Sequence, residues 1–124
     1  MAETKKDKLM EILKKLRDAG DIEGVAVISV DGLVVASNIS EDIDEETVAA
    51  MAAAMQGSAE TAVSELKRGE LNQIIVDSSK GKLITISAGE KAILVILAKK
   101  EINLGLALLE IGKASGKISD VLGG

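Results

Sequence analysis

The sequence predicts one α/β domain, an α+β sandwich with the element order α-ββ-α-βββ-α. Two observations carry this expectation. Three stretches repeat apolar residues at the spacing of amphipathic helices, and five short runs rich in Val and Ile lie between them, bounded by Gly, Asp and Ser. A chain of 124 residues that is 47% hydrophobic suits a single self-sufficient core over residues 1–124.

The first helix runs from about Thr4 to Ala19. Leu9, Ile12, Leu13 and Leu16 recur there between lysines and glutamates, and Gly20 offers a C-terminal stop. Strands Val25–Val30 and Leu33–Asn38 flank Asp31-Gly32, the signal of a two-residue hairpin turn. Glu41-Asp42-Ile43-Asp44-Glu45-Glu46 then places five acids in six residues. Carboxylates at that density suit a helix N-terminus, where they cap free amides and meet the positive end of the dipole. A metal loop is the rival reading, but the run lacks the Gly and ligand spacing of an EF-hand. The second helix extends to about Arg68 and stops near Gly69. Strands Gln73–Ser78, Lys82–Ala88 and Ala92–Ala98 follow, joined by Ser79-Lys80-Gly81 and Gly89-Glu90 as an antiparallel meander. Ile93-Leu94-Val95-Ile96-Leu97 is apolar on both faces and belongs in the middle of the sheet. The last helix, capped by Asn103, reaches Leu122 with Leu104, Leu108, Ile111, Ile118 and Leu122 as its core stripe. Gly123-Gly124 frays beyond it.

The second helix is apolar or small on two opposite sides. At about 100° per residue, Val48, Met51, Met55, Ala59, Ala62 and Leu66 share one face, which is assigned to the core. Ala50, Ala53, Ala54, Gly57, Thr61 and Ser64 fall on the far side, and none is large. A helix resting on one core normally turns charge toward water there. The near-bare ridge points to a protein whose role is contact.

Composition removes whole classes of function. The chain has no His, Cys, Trp, Tyr, Phe or Pro. Without His and Cys it has no imidazole base, thiolate nucleophile, thiolate metal site or disulfide. Without aromatic rings it lacks the stacking platforms of single-strand and RNA binders. A net charge of −5 argues against a nucleic-acid partner. No stretch approaches the ~18 uninterrupted apolar residues of a membrane span. The charged start resembles no signal peptide, so a cytoplasmic protein without membrane insertion is expected.

The remaining candidates for chemistry dissolve on inspection. Gly112-Lys113-Ala114-Ser115-Gly116-Lys117 is one residue short of a phosphate-binding loop, and Ile118 stands where Ser or Thr would hold magnesium. Packing explains it better: Gly105, Gly112 and Gly116 share one side of the last helix and permit close approach of a neighbouring element. A Ser-Lys dyad around Ser78, Ser79, Lys80 and Lys82 reads as a turn. Arg17 and Arg68 close helices, where cations suit the negative dipole end. No catalytic residue, cofactor site or metal site is expected.

Three features, taken together, resemble the Roadblock/LC7 family across essentially the whole chain. They are the lysine-rich first helix leading into Ile22–Ser37 with its Asp-Gly hairpin, the Ala/Met-rich second helix, and the meander ending in Ala92–Ala98 before Gly105 and the Leu-rich last helix. The resemblance implies a profilin-like or longin-like five-stranded, mainly antiparallel sheet of order 2-1-5-4-3 with helices on both faces. It also implies a homodimer whose third strands pair edge to edge and whose second helices lie side by side. Family members serve as light chains, scaffolds or regulators of small Ras-like GTPases. On this chain the implied dimer interface is Met51, Ala54, Ser58 and Thr61 with Gln73, Ile75 and Asp77. Ala50, Ala53, Gly57 and Ser64 remain as an outward ridge for a partner. The expected function is a homodimeric, non-enzymatic adaptor of a small Ras-like GTPase. A profilin- or PAS-like small-molecule sensor and a purely structural light-chain-like dimer are the alternatives.

Overall fold

A computed structural model describes residues 2–123, so Gly124 and the fraying expected of it lie outside the described residues. Helix α1 (Lys5–Arg17) begins at Thr4. The Thr4 hydroxyl accepts the Asp7 N–H at 3.0 Å, and the Asp7 carboxylate accepts the Thr4 N–H at 3.1 Å, a reciprocal cap. Leu9, Leu13 and Leu16 are buried, each side chain contributing roughly 1.5–3 kcal/mol of apolar transfer. Gly20 (φ 90°) and Asp21 (φ 59°) then reverse the chain in left-handed conformations.

Strands β1 (Ile22–Ser29) and β2 (Val34–Ile39) form the first hairpin. Strand β1 starts three residues earlier than expected. The connection is also longer than the expected two residues, spanning 30–33. A two-residue I′ turn needs positive φ at both central positions. Here only Gly32 (φ 89°) has it, its N–H bonds back to the Ser29 carbonyl at 2.9 Å, and the Leu33 carbonyl accepts the Ser29 N–H at 2.8 Å.

Helix α2 (Glu45–Glu65) opens on the acidic run: Asp44 is the cap, and Glu45 and Glu46 occupy the first turn. Strands β3 (Gln73–Ser78), β4 (Gly81–Ser87) and β5 (Ala92–Ala98) follow, and α3 (Leu104–Leu122) starts at the Asn103 cap. All neighbouring strands are antiparallel, in the order β2-β1-β5-β4-β3. The β5 strand is central, as its two-sided apolar run requires.

Two apolar clusters hold the layers. Helices α1 and α3 cover one face of the sheet over Val25, Val27, Leu94 and Ile96. On the other face α2 packs Ala49 and Ala52 onto Ala26, Ile28, Ile93 and Val95. This corrects the assignment of the second helix. Its buried line is Ala49, Ala52 and Gln56, about a quarter turn from the expected stripe. Met51 is 55% exposed and Leu66 69% exposed. Small side chains let the helix sit close to the sheet, so the bulky ones are displaced to a flank. Size and depth are inverted relative to a one-core helix.

Candidate interaction surface

On the α2 side of the sheet one apolar row crosses all five strands. Ile39 pairs with Gly24, Gly24 with Leu97, Leu97 with Leu83, and Leu83 with Val76, so all five positions share a face. A Cβ at Gly24 would lie 3.3 Å from Ile39 and 3.4 Å from Leu97, so the two side chains close over a residue that has none. The row is incompletely covered: Ile39, Leu83 and Leu97 are half-buried and Val76 is exposed.

The position of α2 explains the gap. Gly32, at the hairpin tip, abuts Ala49, Ala50 and Ala53. One flank of α2 therefore faces the tip end of the strands. The opposite flank, carrying Val48, Met51, Met55, Ala62 and Leu66 on the helical wheel, faces the end where the open row lies. Ala54, Ser58 and Thr61 stand on the outermost ridge and are exposed. Ala50, Gly57 and Ser64 lie on the tip-side flank, also exposed. Ala53 is half-buried against the α2 cluster and leaves the outward ridge assigned to it.

The two sheet edges differ. Strand β2 is interrupted by a register shift opposite Val27 and Ile28. Arg17 of α1 donates to Asn38 Oδ1 at 2.6 Å and Ser40 Oγ at 3.3 Å, tying down its far end. Both devices blunt an edge. Strand β3 pairs in unbroken register with β4 from Gln73 to Ser78 and turns its other side outward. Gln73, Ile75 and Asp77 point to the α1/α3 side, Ile74 and Val76 to the α2 side. Asp77 receives Lys82 Nζ at 2.8 Å, and that bond, with the charges of Lys82 and Lys100, holds its carboxyl below the usual range.

Polar groups near α2 are already engaged. Gln56, 5% exposed, accepts from Thr85 Oγ1 at 3.2 Å and donates to Ser87 Oγ at 3.1 Å. Gln56 and Ser87 line a groove of about 510 Å³ bordered by Glu60, Glu70 and Glu90. Among the described residues every buried side-chain N or O has a hydrogen-bond partner, and no group of three or more acidic residues is placed to hold a metal ion. No described helix is long and apolar enough to cross a membrane. On α3 the expected close neighbour of the glycines is not found among the described residues. A Cβ at Gly112 or Gly116 would meet nothing within 4 Å, and one at Gly105 only the Asn103 cap.

A 2-1-5-4-3 antiparallel sheet with one helix on one face and two on the other has the profilin-like fold. Within that class, the family model of the Roadblock/LC7 domain matches residues 8–98, and the chain belongs to the Roadblock/LC7 family. An uncharacterized protein of Methanocaldococcus jannaschii is 38% identical over 107 residues, spanning 86% of this chain and 93% of its own length. Myxococcus xanthus MglB superposes with a TM-score of 0.89 at 20% identity, covering 98% of this chain and 92% of that one. An MglB with a tetrameric arrangement gives 0.87 at 17% identity, over 98% and 92%. At these identities the MglB likeness is one of fold.

Proposed function

We propose that this protein is a homodimeric adaptor that binds and regulates a small Ras-like GTPase through its paired second helices, in the cytoplasm and without chemistry of its own. The observation that carries the reading is the half-open row Ile39–Leu97–Leu83–Val76 beneath the Met51/Met55/Leu66 flank. An apolar surface of this continuity marks a contact site. It adjoins β3, the unblunted edge, so a second copy that pairs β3 with β3 brings its own α2 toward the same half of the sheet. The twin-helix contact then shifts from Ala54, Ser58 and Thr61 to the Met51, Met55, Ala62 and Leu66 flank. Ala54, Ser58 and Thr61, with Ala50 and Gly57 beside them, form the outward platform for the GTPase. The family supports a regulatory or scaffolding role, and the tetrameric MglB supports self-association among proteins of this fold.

The test has two arms. Light scattering should return at least twice the chain mass at micromolar concentration, and Leu66→Glu should return the mass of one chain. Affinity capture from native lysate with GDP and GTP analogues should recover a Ras-like protein whose binding depends on the nucleotide. A single-chain mass for the unmodified protein would overturn the dimer, and capture of nothing nucleotide-dependent would overturn the GTPase role.

A further inference from the structure

The hydrogen-bonding phase of β3 follows from its neighbours. The Ala88 N–H donates to the Ala92 carbonyl at 2.9 Å. That pair continues the register of Lys82 with Ala98 and Ile84 with Ile96, so the even-numbered residues of β4 bond to β5. The odd-numbered Gly81, Leu83 and Thr85 therefore bond to β3, through Ser78, Val76 and Ile74. Gln73, Ile75 and Asp77 are left with their N–H and C=O groups turned outward from the sheet edge.

We propose, resting on the β3 dimer above, that a second copy pairs in one register, with Ile75 opposite Ile75, and that this register carries Lys80 of each copy to the acidic groove of the other. Opposed residues of an antiparallel pair share a face. A two-fold dimer that continues both faces of the sheet must then set one residue of β3 opposite itself. With Ile75 in that place, Gln73 meets Asp77 and every outward group of the strand is paired. Centring on Ile74 or on Val76 sets Asp77 or Gln73 opposite a residue outside the strand. The side chains agree with the backbone. Lys82 takes Asp77 Oδ1 at 2.8 Å, which leaves Oδ2 to the Gln73 amide of the second copy. Val76, the exposed end of the apolar row, meets Ile74 of the second copy, so the row continues across the axis.

Charge at the strand ends separates the registers further. Counted on past Ser78, the pairing centred on Ile75 brings Lys80 to Glu70 of the second copy. Centring on Ile74 would bring it to Arg68, like charge against like, and centring on Val76 to Asn72. Glu70 borders the 510 Å³ groove with Glu60 and Glu90, and none of these carboxylates makes an ion pair among the described residues. Lys82 and Lys100 are held by Asp77 and by the Ser78 carbonyl. Lys80 stands exposed in the turn with no such contact among the described residues. The groove is completed by a cation from the second copy, at both ends of the interface.

The chain has no cysteine, which makes the register directly readable. Ile75→Cys should form a covalent dimer under mild oxidation, and so should the Ile74→Cys/Val76→Cys double variant. Val76→Cys alone should not, because two copies of residue 76 are offset by about 7 Å along the strands, which with the strand spacing exceeds disulfide reach. Glu70→Lys and Lys80→Glu should each raise the dimer dissociation constant about tenfold at low salt, since each acts at both ends. Combining them should restore it. Linkage of Ile74→Cys or Val76→Cys alone as fast as Ile75→Cys would overturn the register, and a charge-swapped double variant as weak as the singles would overturn the Lys80–Glu70 contact. Failure of Ile75→Cys to link, in a protein that light scattering shows to be a dimer, would overturn this proposal and leave the dimer standing. A single-chain mass would overturn both.

Discussion

Gln56 shows how one side chain fixes the depth of a helix. Its amide joins Thr85 and Ser87 of β4 to α2 from the buried line of the helix. Gln56→Leu keeps the volume but leaves the fully buried Thr85 hydroxyl without its acceptor. An orphaned group of this kind costs about 1–3 kcal/mol, which urea unfolding should register. Gln56→Leu/Thr85→Val removes both partners and should recover much of the loss; a double variant no better than the single one would refute the hydrogen-bond account. Asp77 makes a smaller, titratable contribution. Its folded pKa is lowered by Lys82, so the stabilisation is present above the ordinary carboxylate pKa and disappears as pH falls through the depressed folded value. Because the Asp77 carboxylate is solvent-exposed, the readout is its carboxyl shift in an NMR titration, with a midpoint below the ordinary range that rises in Lys82→Met.

At the scale of elements, α2 and β3 divide the work, and variants on the two flanks of α2 should separate it. Leu66→Glu acts on the flank above the open row and should abolish self-association with unchanged far-ultraviolet dichroism, since the side chain is largely exposed in the single chain. Gly57→Arg acts on the tip-side flank and should weaken GTPase capture while leaving the mass unchanged. A reversed pattern would overturn this division of the two flanks. The orientation of α2 was where sequence legibility ended. The helix start within the acidic run, the Asn103 cap, the meander and the central position of β5 were all readable, because each rests on local chemistry or two-sided hydrophobicity. The rotation of α2 was not. Periodicity finds the line of largest apolar side chains, and in this helix that line is not the buried one: Ala49 and Ala52 lie deepest because they are small. The row through Gly24, Leu97, Leu83 and Val76 was equally hidden, since alternation gives the face of each residue but not whether a helix covers it. Its one sequence signal was Gly24, a residue without a side chain in the middle of an otherwise Val- and Ile-rich strand.

For the whole molecule, the open row couples folding to assembly. A chain that leaves Met51, Leu66 and Val76 exposed when alone gains by covering them, so unfolding of the proposed dimer releases two chains from one particle. Mass action then makes stability depend on protein concentration. Each tenfold increase adds about 1.4 kcal/mol per dimer. With an unfolding entropy near 2.1 cal/mol/K per residue over two chains, this becomes an increase in Tm of roughly 2–3 °C per tenfold. Far-ultraviolet dichroism can follow it; absorbance at 280 nm cannot, because the chain has no Trp, Tyr or Cys. The slope should vanish in Leu66→Glu, where the folded species is a single chain. A Tm independent of concentration in the unmodified protein would mean that the row is tolerated in water, and the β3–α2 dimer would lose its energetic basis.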